Sequence, residues 1–167
     1  MIRHKVKVRV PNASAQEFYD FMINPTTERY QAWWPGEHLD FRIVKHGRSD
    51  HVGDIVYMDE YIGEGNRRLK FHAQVKSVKR HRQIVWQMRK FGLLLPAYVV
   101  LGLKDTPKGL IVTHELRLGY KGLGKLLDPL IKLYFNDDYR YDLEGHCKIE
   151  WHLLAAYLEE LREGWSL

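Results

Sequence analysis

The sequence predicts an α+β domain in which one antiparallel sheet packs against a long C-terminal helix. Three observations predict this architecture. Strand-like segments of alternating polarity, joined by short turns, follow one another over residues 39–120. Two short helical patterns lie between these segments and a first strand. The end of the chain carries an amphipathic helical stripe, for which a sheet of about six or seven strands is the only large apolar partner.

The first strand and the first helix have clear signals near the N-terminus. Apolar residues alternate with basic ones in the first strand: Val6, Val8 and Val10. Ser14 and Glu17 have the spacing of a capping box, so a helix is expected to begin there.

A second short helix should follow directly. Asn24 is expected to cap it, with Pro25 at its first position. Pro35 restricts the residue before it to extended conformations, so this helix must end by Trp34.

The remaining strands are predicted from runs of alternating or continuous apolar residues. These runs cover residues 39–43, 55–62, 69–77, 84–89, 98–103 and 110–118. Because the strands are consecutive and the turns short, they should form an antiparallel meander. The last helix is predicted after the possible cap at residues 136–138, from a stripe with spacings of three and four: Leu143, Cys147, Trp151, Leu154, Leu158 and Leu161.

The size and composition of the chain fit one globular domain over residues 1–167. The chain has 167 residues, of which 45% are hydrophobic and 28% charged, and it shows no linker or repeat. No apolar run is long enough to cross a bilayer, and no basic start precedes an apolar stretch. The single cysteine fits a reducing compartment, so a cytoplasmic location is expected.

The formal charge of +5 comes partly from two basic rows on predicted strands. The first row alternates with the valines of the first strand, and the second covers residues 68–76. Nucleic-acid binding would require aromatic residues interleaved with the basic ones on the same face. The aromatic residues alternate onto the opposite face, so no nucleic-acid partner is expected.

The element order, together with four local motifs, resembles the helix-grip fold of the START, polyketide-cyclase and birch-pollen-allergen superfamily. The motifs are ASAQEF at residues 13–18, AWWP at 32–35, Gly53-Asp54 before a strand, and the pairing of VKSV at 75–78 with IVW at 84–86. The resemblance spans nearly the whole chain. It implies a curved sheet wrapped around the C-terminal helix, with two short helices after the first strand and a cavity that holds a small apolar molecule.

The large and polar side chains expected to face this cavity are the candidate ligand-binding residues. They are Phe71, Trp86, Tyr98, His114, Tyr139, His146, Glu150 and Tyr157. Core packing alone would favour the same aromatic residues at these positions.

The sequence lacks the motifs that are typical of several kinds of catalytic or cofactor chemistry. The sequence has no glycine-rich phosphate loop, no Cys-x-x-Cys, no His-Glu-x-x-His and no Gly-x-Ser-x-Gly. No cofactor is therefore expected, and no catalytic residue can be assigned. Cys147 lies in the apolar stripe of the last helix, where a buried, inert thiol is the expected state.

His146 and Glu150 are the most notable polar pair. They lie one helical turn apart on a flank of the apolar stripe, so their side chains can meet and bind a polar ligand group or transfer a proton. The simpler alternative is a hydrogen bond at the helix surface. Asp142, His146 and Glu150 also have metal-ligand spacing, but with one imidazole on that flank no metal is expected.

His114 is the second polar candidate, because it shares a strand face with Val112 and Leu116. A buried imidazole must find a hydrogen-bond partner, either in the protein or in a ligand. A core histidine bonded within the protein is the commoner case.

Three classes of function remain open from the sequence. The first is a cytoplasmic binding or carrier protein for a small hydrophobic or aromatic molecule. The alternative is a cyclase- or aromatase-like enzyme that uses His, Glu or Tyr side chains of the cavity as acid–base groups. A chaperone cofactor would instead need a large exposed apolar patch.

Residues 123–134 carry a small apolar face beside two lysines. This segment suits a lid over the cavity or a peripheral membrane contact, but it suits ordinary core packing equally well. The face is formed by Leu126, Leu127, Leu130 and Ile131. Oligomeric state leaves no mark in the sequence.

Overall fold

The computed structural model describes residues 2–63, 67–119, 129 and 135–164. Within these residues it contains seven strands and three helices. Their order is β1 (Ile2–Val10), α1 (Ala15–Ile23), α2 (Thr27–Trp33), β2 (His38–Lys45), β3 (Ile55–Ile62), β4 (Arg67–Lys79), β5 (Gln83–Lys90), β6 (Leu93–Thr106), β7 (Gly109–Leu118) and α3 (Asp137–Gly164).

The seven strands form one open, curved, antiparallel sheet. Its spatial order is β1-β7-β6-β5-β4-β3-β2, so β2 to β7 form a meander and β1 returns to pair with β7. The long helix α3 is the last element of the described residues. This arrangement confirms the predicted α+β class and the helix-grip architecture.

The basic row of β1 faces solvent on an edge strand. Lys5, Lys7 and Arg9 are exposed, while the alternating valines at positions 6, 8 and 10 are buried. Charged side chains on an edge strand discourage further strand pairing. The alternating pattern read from the sequence is therefore confirmed.

The capping box of α1 is confirmed, whereas the cap predicted for α2 is wrong. The Ser14 side chain accepts a hydrogen bond from the Glu17 backbone N–H, and the Glu17 carboxylate accepts one from the Ser14 backbone N–H. The N-cap of α2 is Thr26, whose hydroxyl accepts a hydrogen bond from the Arg29 N–H. Asn24 instead ends α1, because Pro25 disfavours a helical conformation at the residue before it.

Strand β6 is longer than predicted and includes Pro96. A proline inside a sheet removes one ladder hydrogen bond. Here the β5–β6 ladder is interrupted between Gln87 and Arg89, next to the proline. The Gln87 side chain donates a hydrogen bond to the Leu95 carbonyl at 2.7 Å within this irregular stretch. The proline is therefore tolerated where the ladder is already broken.

Helix α3 buries one face against the sheet and the short helices. Its buried residues are Tyr139, Leu143, His146, Cys147, Glu150, Trp151, Leu154 and Ala155. Trp151 packs against the rings of Phe18 and Trp33. In the described part of the chain no helix is long and apolar enough to cross a membrane. The predicted lid or membrane face at residues 123–134 lies outside the described residues, apart from Pro129.

Candidate functional site

A cavity lies between the inner face of the sheet and α3. The cavity itself is small, about 50 Å³, and the non-atom space in and around it, open solvent included, is about 650 Å³. Most lining side chains are aliphatic, aromatic or methionine, and the polar exceptions are Glu60, His114 and Glu150. The cavity is thus an apolar space with a few polar groups, as is typical of small-molecule sites.

Five of the eight predicted ligand-binding residues line this cavity: Phe71, Trp86, His114, Tyr139 and Glu150. Tyr98 does not line it. Its strand neighbour Val99 and the next inward residue, Leu101, do. Because side chains alternate along a strand, Tyr98 lies on the opposite face of the sheet.

Tyr157 and His146 are the other two predicted residues outside the cavity lining. Tyr157 packs edge-on against Phe21, with ring centroids 5.9 Å apart. His146 borders a separate surface groove together with Trp34, Glu37 and other residues of α3.

The structure gathers a buried polar cluster at one side of the cavity. It consists of two histidines and two glutamates from three elements: His38 of β2, Glu60 of β3, and His146 and Glu150 of α3. One donor atom from each of the four side chains lies within 4.8 Å of the other three. All four residues are at least nine-tenths buried. We refer to these four residues as the His–Glu cluster.

An irregularity in β2 brings His38 into this cluster. His38 pairs across the sheet with Glu60, whereas Asp40 pairs with Asp59, so one extra residue of β2 is accommodated between them. Such a bulge turns its strand and re-aims a side chain. His38 and Phe41 are consequently both buried, although an odd spacing would place them on opposite faces of a regular strand.

Aromatic side chains hold the two imidazoles of the cluster. The His38 ring stacks on Tyr30, with centroids 4.0 Å apart and an interplanar angle of 1°. The His146 ring stacks on Trp34 at 4.7 Å. The Tyr30 hydroxyl donates a short hydrogen bond to Glu60 Oε2. The short helix α2 and the residue after it therefore orient the cluster through ring contacts.

The cluster leaves several buried polar atoms without hydrogen bonds. Both ring nitrogens of His38, His146 Nε2 and Glu150 Oε2 lack a partner with hydrogen-bond geometry. His38 Nε2 and Glu150 Oε1 lie 3.9 Å apart, which is too far for a hydrogen bond. Most buried polar groups in proteins are satisfied, so four such atoms at one place require an explanation.

Burial sets the charge state of these groups. It lowers the pKa of His38 to about 3; the nearby His146 adds to the shift, and a contact of the ring with the Tyr30 backbone, too poor in geometry to count as a hydrogen bond, opposes it. Burial, and then the charge of His114, lowers the pKa of His146 to about 4. Burial raises the pKa of Glu60 to about 7, although the Tyr30 hydrogen bond opposes the rise. Burial and then the charge of Glu60 raise the pKa of Glu150 well above its usual value.

The predicted pairing of His146 with Glu150 does not form a hydrogen bond. The closest ring nitrogen to Glu150 belongs to His38, and the His146 ring lies on Trp34 instead. Asp142, the third residue of the metal spacing considered above, pairs with Arg67 at 3.5 Å.

His114 finds its partner within the protein. Its Nδ1 lies 3.2 Å from Cys147 Sγ, and its ring also packs near Trp151. Burial, and then the charge of His4, lowers the pKa of His114 to about 4, so the imidazole is neutral at pH 7. The expectation that His114 is satisfied in the core agrees with this contact, and the ring also borders the cavity.

Sequence reasoning missed His38 and Glu60. Glu60 had a readable signal, because it shares the alternation of Val56 and Met58, which line the cavity. A carboxylate in an apolar strand register marks either a buried site or a bulge. His38 had no such signal, because only the bulge brings it to the inner face.

The exposed apolar side chains gather at the turn between β5 and β6. Phe91 is 92% exposed and Leu93 71% exposed, and Leu94 is also exposed. A shallow groove beside this turn shares Phe71 and Met88 with the cavity. The apolar turn therefore lies close to the cavity.

The comparisons with known proteins agree on the fold. No protein-family model and no curated protein matches the chain. Protein NE0264 from Nitrosomonas europaea is 15% identical, with a TM-score of 0.56 over 97% of each chain. Protein Ms6760 from Mycobacterium smegmatis is 12% identical, with a TM-score of 0.58 over 95% of this chain and 92% of that one. The di-domain ARO/CYC BexL from the BE-7585A biosynthetic pathway is 13% identical, with a TM-score of 0.57 over 93% of this chain and 49% of BexL. At these identities the likeness establishes the helix-grip fold alone.

Proposed function

We propose that this helix-grip protein binds a small apolar or aromatic molecule in the cavity between its sheet and α3. The observation that carries the proposal is the cavity itself, with its apolar walls and few polar groups. Proteins usually fill the space between sheet and helix with side chains, so an apolar space of this kind is the default binding site. The single cysteine supports a cytoplasmic setting for this function.

The chemistry of the walls supports a ligand with an apolar body and one polar end. Phe71, Trp86 and Leu101 are part of the apolar wall, whereas Glu60 and Glu150 lie together at one side. A ligand hydroxyl or carbonyl near these carboxyl groups would gain a hydrogen bond that the rest of the cavity does not offer.

Native mass spectrometry tests the proposal directly. The protein is purified without denaturation and its native mass is compared with its mass after unfolding. We expect an added mass of one small molecule per chain, which is released on unfolding and extracts into organic solvent. A native mass equal to the chain mass, even after incubation with a lipid extract of the expression host, would contradict the proposal.

The second candidate is an enzyme of the aromatase or cyclase type, the class that the designation ARO/CYC gives to BexL. The observation that favours it is the position of Glu60 and Glu150 beside the cavity, with the Tyr30 hydroxyl bonded to Glu60. Carboxyl groups beside an apolar cavity are suitable general acids.

The identity of the bound molecule separates the two candidates. A binding protein and its Glu150→Gln variant should carry the same molecule. An enzyme should carry product in the wild type and unconverted substrate in the variant, and liquid chromatography with mass spectrometry distinguishes them.

A further inference from the structure

We propose that the His–Glu cluster binds one divalent transition-metal ion, with His38, Glu60, His146 and Glu150 as its ligands. The proposal goes beyond the binding of an apolar molecule and does not depend on it. It rests on the donor set, on its geometry, and on the absence of other partners for the same atoms.

The donor set has the composition and spacing of a metal site. Two imidazole nitrogens and two carboxylate oxygens are ligands that zinc and related ions accept. The four donor atoms lie within 4.8 Å of one another. A tetrahedral ion with bonds of about 2.0–2.1 Å needs donors roughly 3.4 Å apart, so small side-chain rotations suffice to close the site.

The hydrogen bonds around the cluster leave the required atoms free. Glu60 Oε2 accepts the Tyr30 hydroxyl, which leaves the other oxygen of that carboxylate for an ion. Glu150 Oε2 and His38 Nε2 have no hydrogen-bond partner. The Tyr30 contact is the kind of outer interaction that commonly holds a ligating carboxylate in place.

Charge also favours a cation at this position. Two carboxyl groups lie together in a buried place, and within the described ranges no lysine or arginine pairs with Glu60 or Glu150. Without a cation these groups can avoid the cost of buried carboxylates by holding protons, which a bound ion would displace. A divalent ion would neutralise both carboxylates and would also supply the missing partners of the two imidazoles.

The buried cluster lies next to two open spaces. His146 borders the surface groove next to Trp34 and Glu37, while Glu60 and Glu150 border the cavity. Three of the four ligands therefore border an open space, and His38 lies buried beside them. Because the unpartnered nitrogens of His38 and His146 are buried, an ion that enters from the groove requires a side-chain movement at His146 or Trp34.

A second set of donors competes for the same ion. His114, Cys147 and Glu150 also have donor atoms within 4.8 Å of one another. However, His114 Nδ1 and Cys147 Sγ already contact each other at 3.2 Å. The His–Glu cluster has four donors against three, and four of its polar atoms lack any hydrogen-bond partner, so we assign the ion to it.

The test uses tag-free full-length protein, stripped with a chelator and titrated with Zn²⁺ alone. Calorimetry is expected to show one Zn²⁺ bound per chain. At free Zn²⁺ of about one hundred times the Kd, the melting temperature should rise by roughly 5–10 °C. Co²⁺ in place of Zn²⁺ should give the visible absorption of a four-coordinate site with nitrogen and oxygen ligands.

Three variants and one matched control locate the site. His38→Ala and Glu150→Gln should each weaken Zn²⁺ binding by at least about 100-fold, because removal of a ligand costs more than removal of an outer contact. His114→Ala should change the affinity much less. The control is His152→Ala, which removes an exposed histidine of α3 bonded to the Lys148 carbonyl and should leave the affinity unchanged.

Two results would overturn the proposal. One is that the melting temperature of the wild-type protein does not rise with Zn²⁺. This measurement does not depend on whether the variants fold. The other is loss of Zn²⁺ binding in His114→Ala but not in His38→Ala, which would move the ion to the second donor set. Either result leaves the native mass measurement of an apolar ligand unaffected, so failure here is distinct from failure of the proposed function.

Discussion

Cys147 Sγ lies 3.2 Å from His114 Nδ1, across the contact between α3 and β7. This contact shows why Cys147 is a buried core thiol and which group is the partner of His114 within the protein. The thiol belongs to the buried stripe of the helix, and the imidazole is a core histidine with a partner inside the protein. Burial raises the pKa of the Cys147 thiol well above its usual value, with the charge of Glu150 adding to the shift.

We therefore expect the thiol of Cys147 to be inert in the folded protein. A high thiol pKa and burial both suppress the reactive thiolate. A disulfide reagent such as DTNB should release no coloured product from native protein at pH 8 within minutes. The same sample in concentrated urea should release one equivalent per chain. Rapid reaction without urea would show that the helix opens readily.

A larger side chain inside the cavity should block ligand binding. Val99 lines the cavity, and its neighbour Tyr98 faces the other side of the sheet. Val99→Trp should reduce the fluorescence of the apolar probe ANS bound to the protein several-fold, because the new ring occupies the space. Tyr98→Trp, on the same strand, is the matched control and should leave the fluorescence unchanged.

The exposed turn between β5 and β6 needs its own control in this measurement. Phe91 and Leu93 could bind ANS without any cavity. If Phe91→Ser removes the fluorescence and Val99→Trp does not, the probe reports the surface turn and the cavity prediction fails.

The two adjacent tryptophans should differ sharply in their effect on stability. Trp33 is buried, packs against Trp151, and donates a hydrogen bond from its indole to the Glu150 carbonyl at 3.0 Å. Trp33→Ala should lower the free energy of unfolding by about 3–5 kcal/mol. Trp34 is partly exposed and stacks on one face of His146, so Trp34→Ala should cost roughly 1 kcal/mol. Urea denaturation measures both, and equal losses would contradict this assignment.

An ion pair outside the cavity should make the folding stability of the protein depend on pH in the acidic range. Arg68 donates two hydrogen bonds to the Asp59 carboxylate, at 2.8 and 2.9 Å, and so holds the pKa of Asp59 below its usual value. A lowered folded-state pKa stabilises the protein above the unfolded pKa of about 3.9, and this contribution is lost as pH falls through the folded value.

The comparison of wild type with Asp59→Asn measures this contribution. The melting temperature of the wild type should exceed that of Asp59→Asn by a constant amount between pH 7 and 5. This difference should become smaller below about pH 4. Since the Arg68 side chain is 44% exposed, the expected contribution is at most about 1 kcal/mol. Glu159→Gln, an exposed change on α3, is the control. A gap that stays constant down to pH 2 would contradict the ion-pair explanation.

The order and type of the elements follow from local patterns in the sequence. Alternation of polarity, the Ser14–Glu17 capping box and the stripe of α3 are local patterns, because a strand or helix shows its buried face within its own residues. The same patterns predicted five of the cavity residues, including Phe71 and Trp86. Local patterns did not predict the N-cap of α2 correctly. They also did not predict that β6 continues through Pro96.

The composition of the polar site depends on contacts between distant parts of the chain. His38 and Glu60 lie on different strands from each other and far along the chain from Glu150, so no spacing in the sequence connects them. A bulge in β2 brings His38 to the inner face, and Trp34 draws the His146 ring away from the carboxylate one turn later. Helical spacing correctly placed His146 and Glu150 on neighbouring turns. Which side chains actually meet depends on the elements packed against them, and those contacts form only when the sheet and α3 come together.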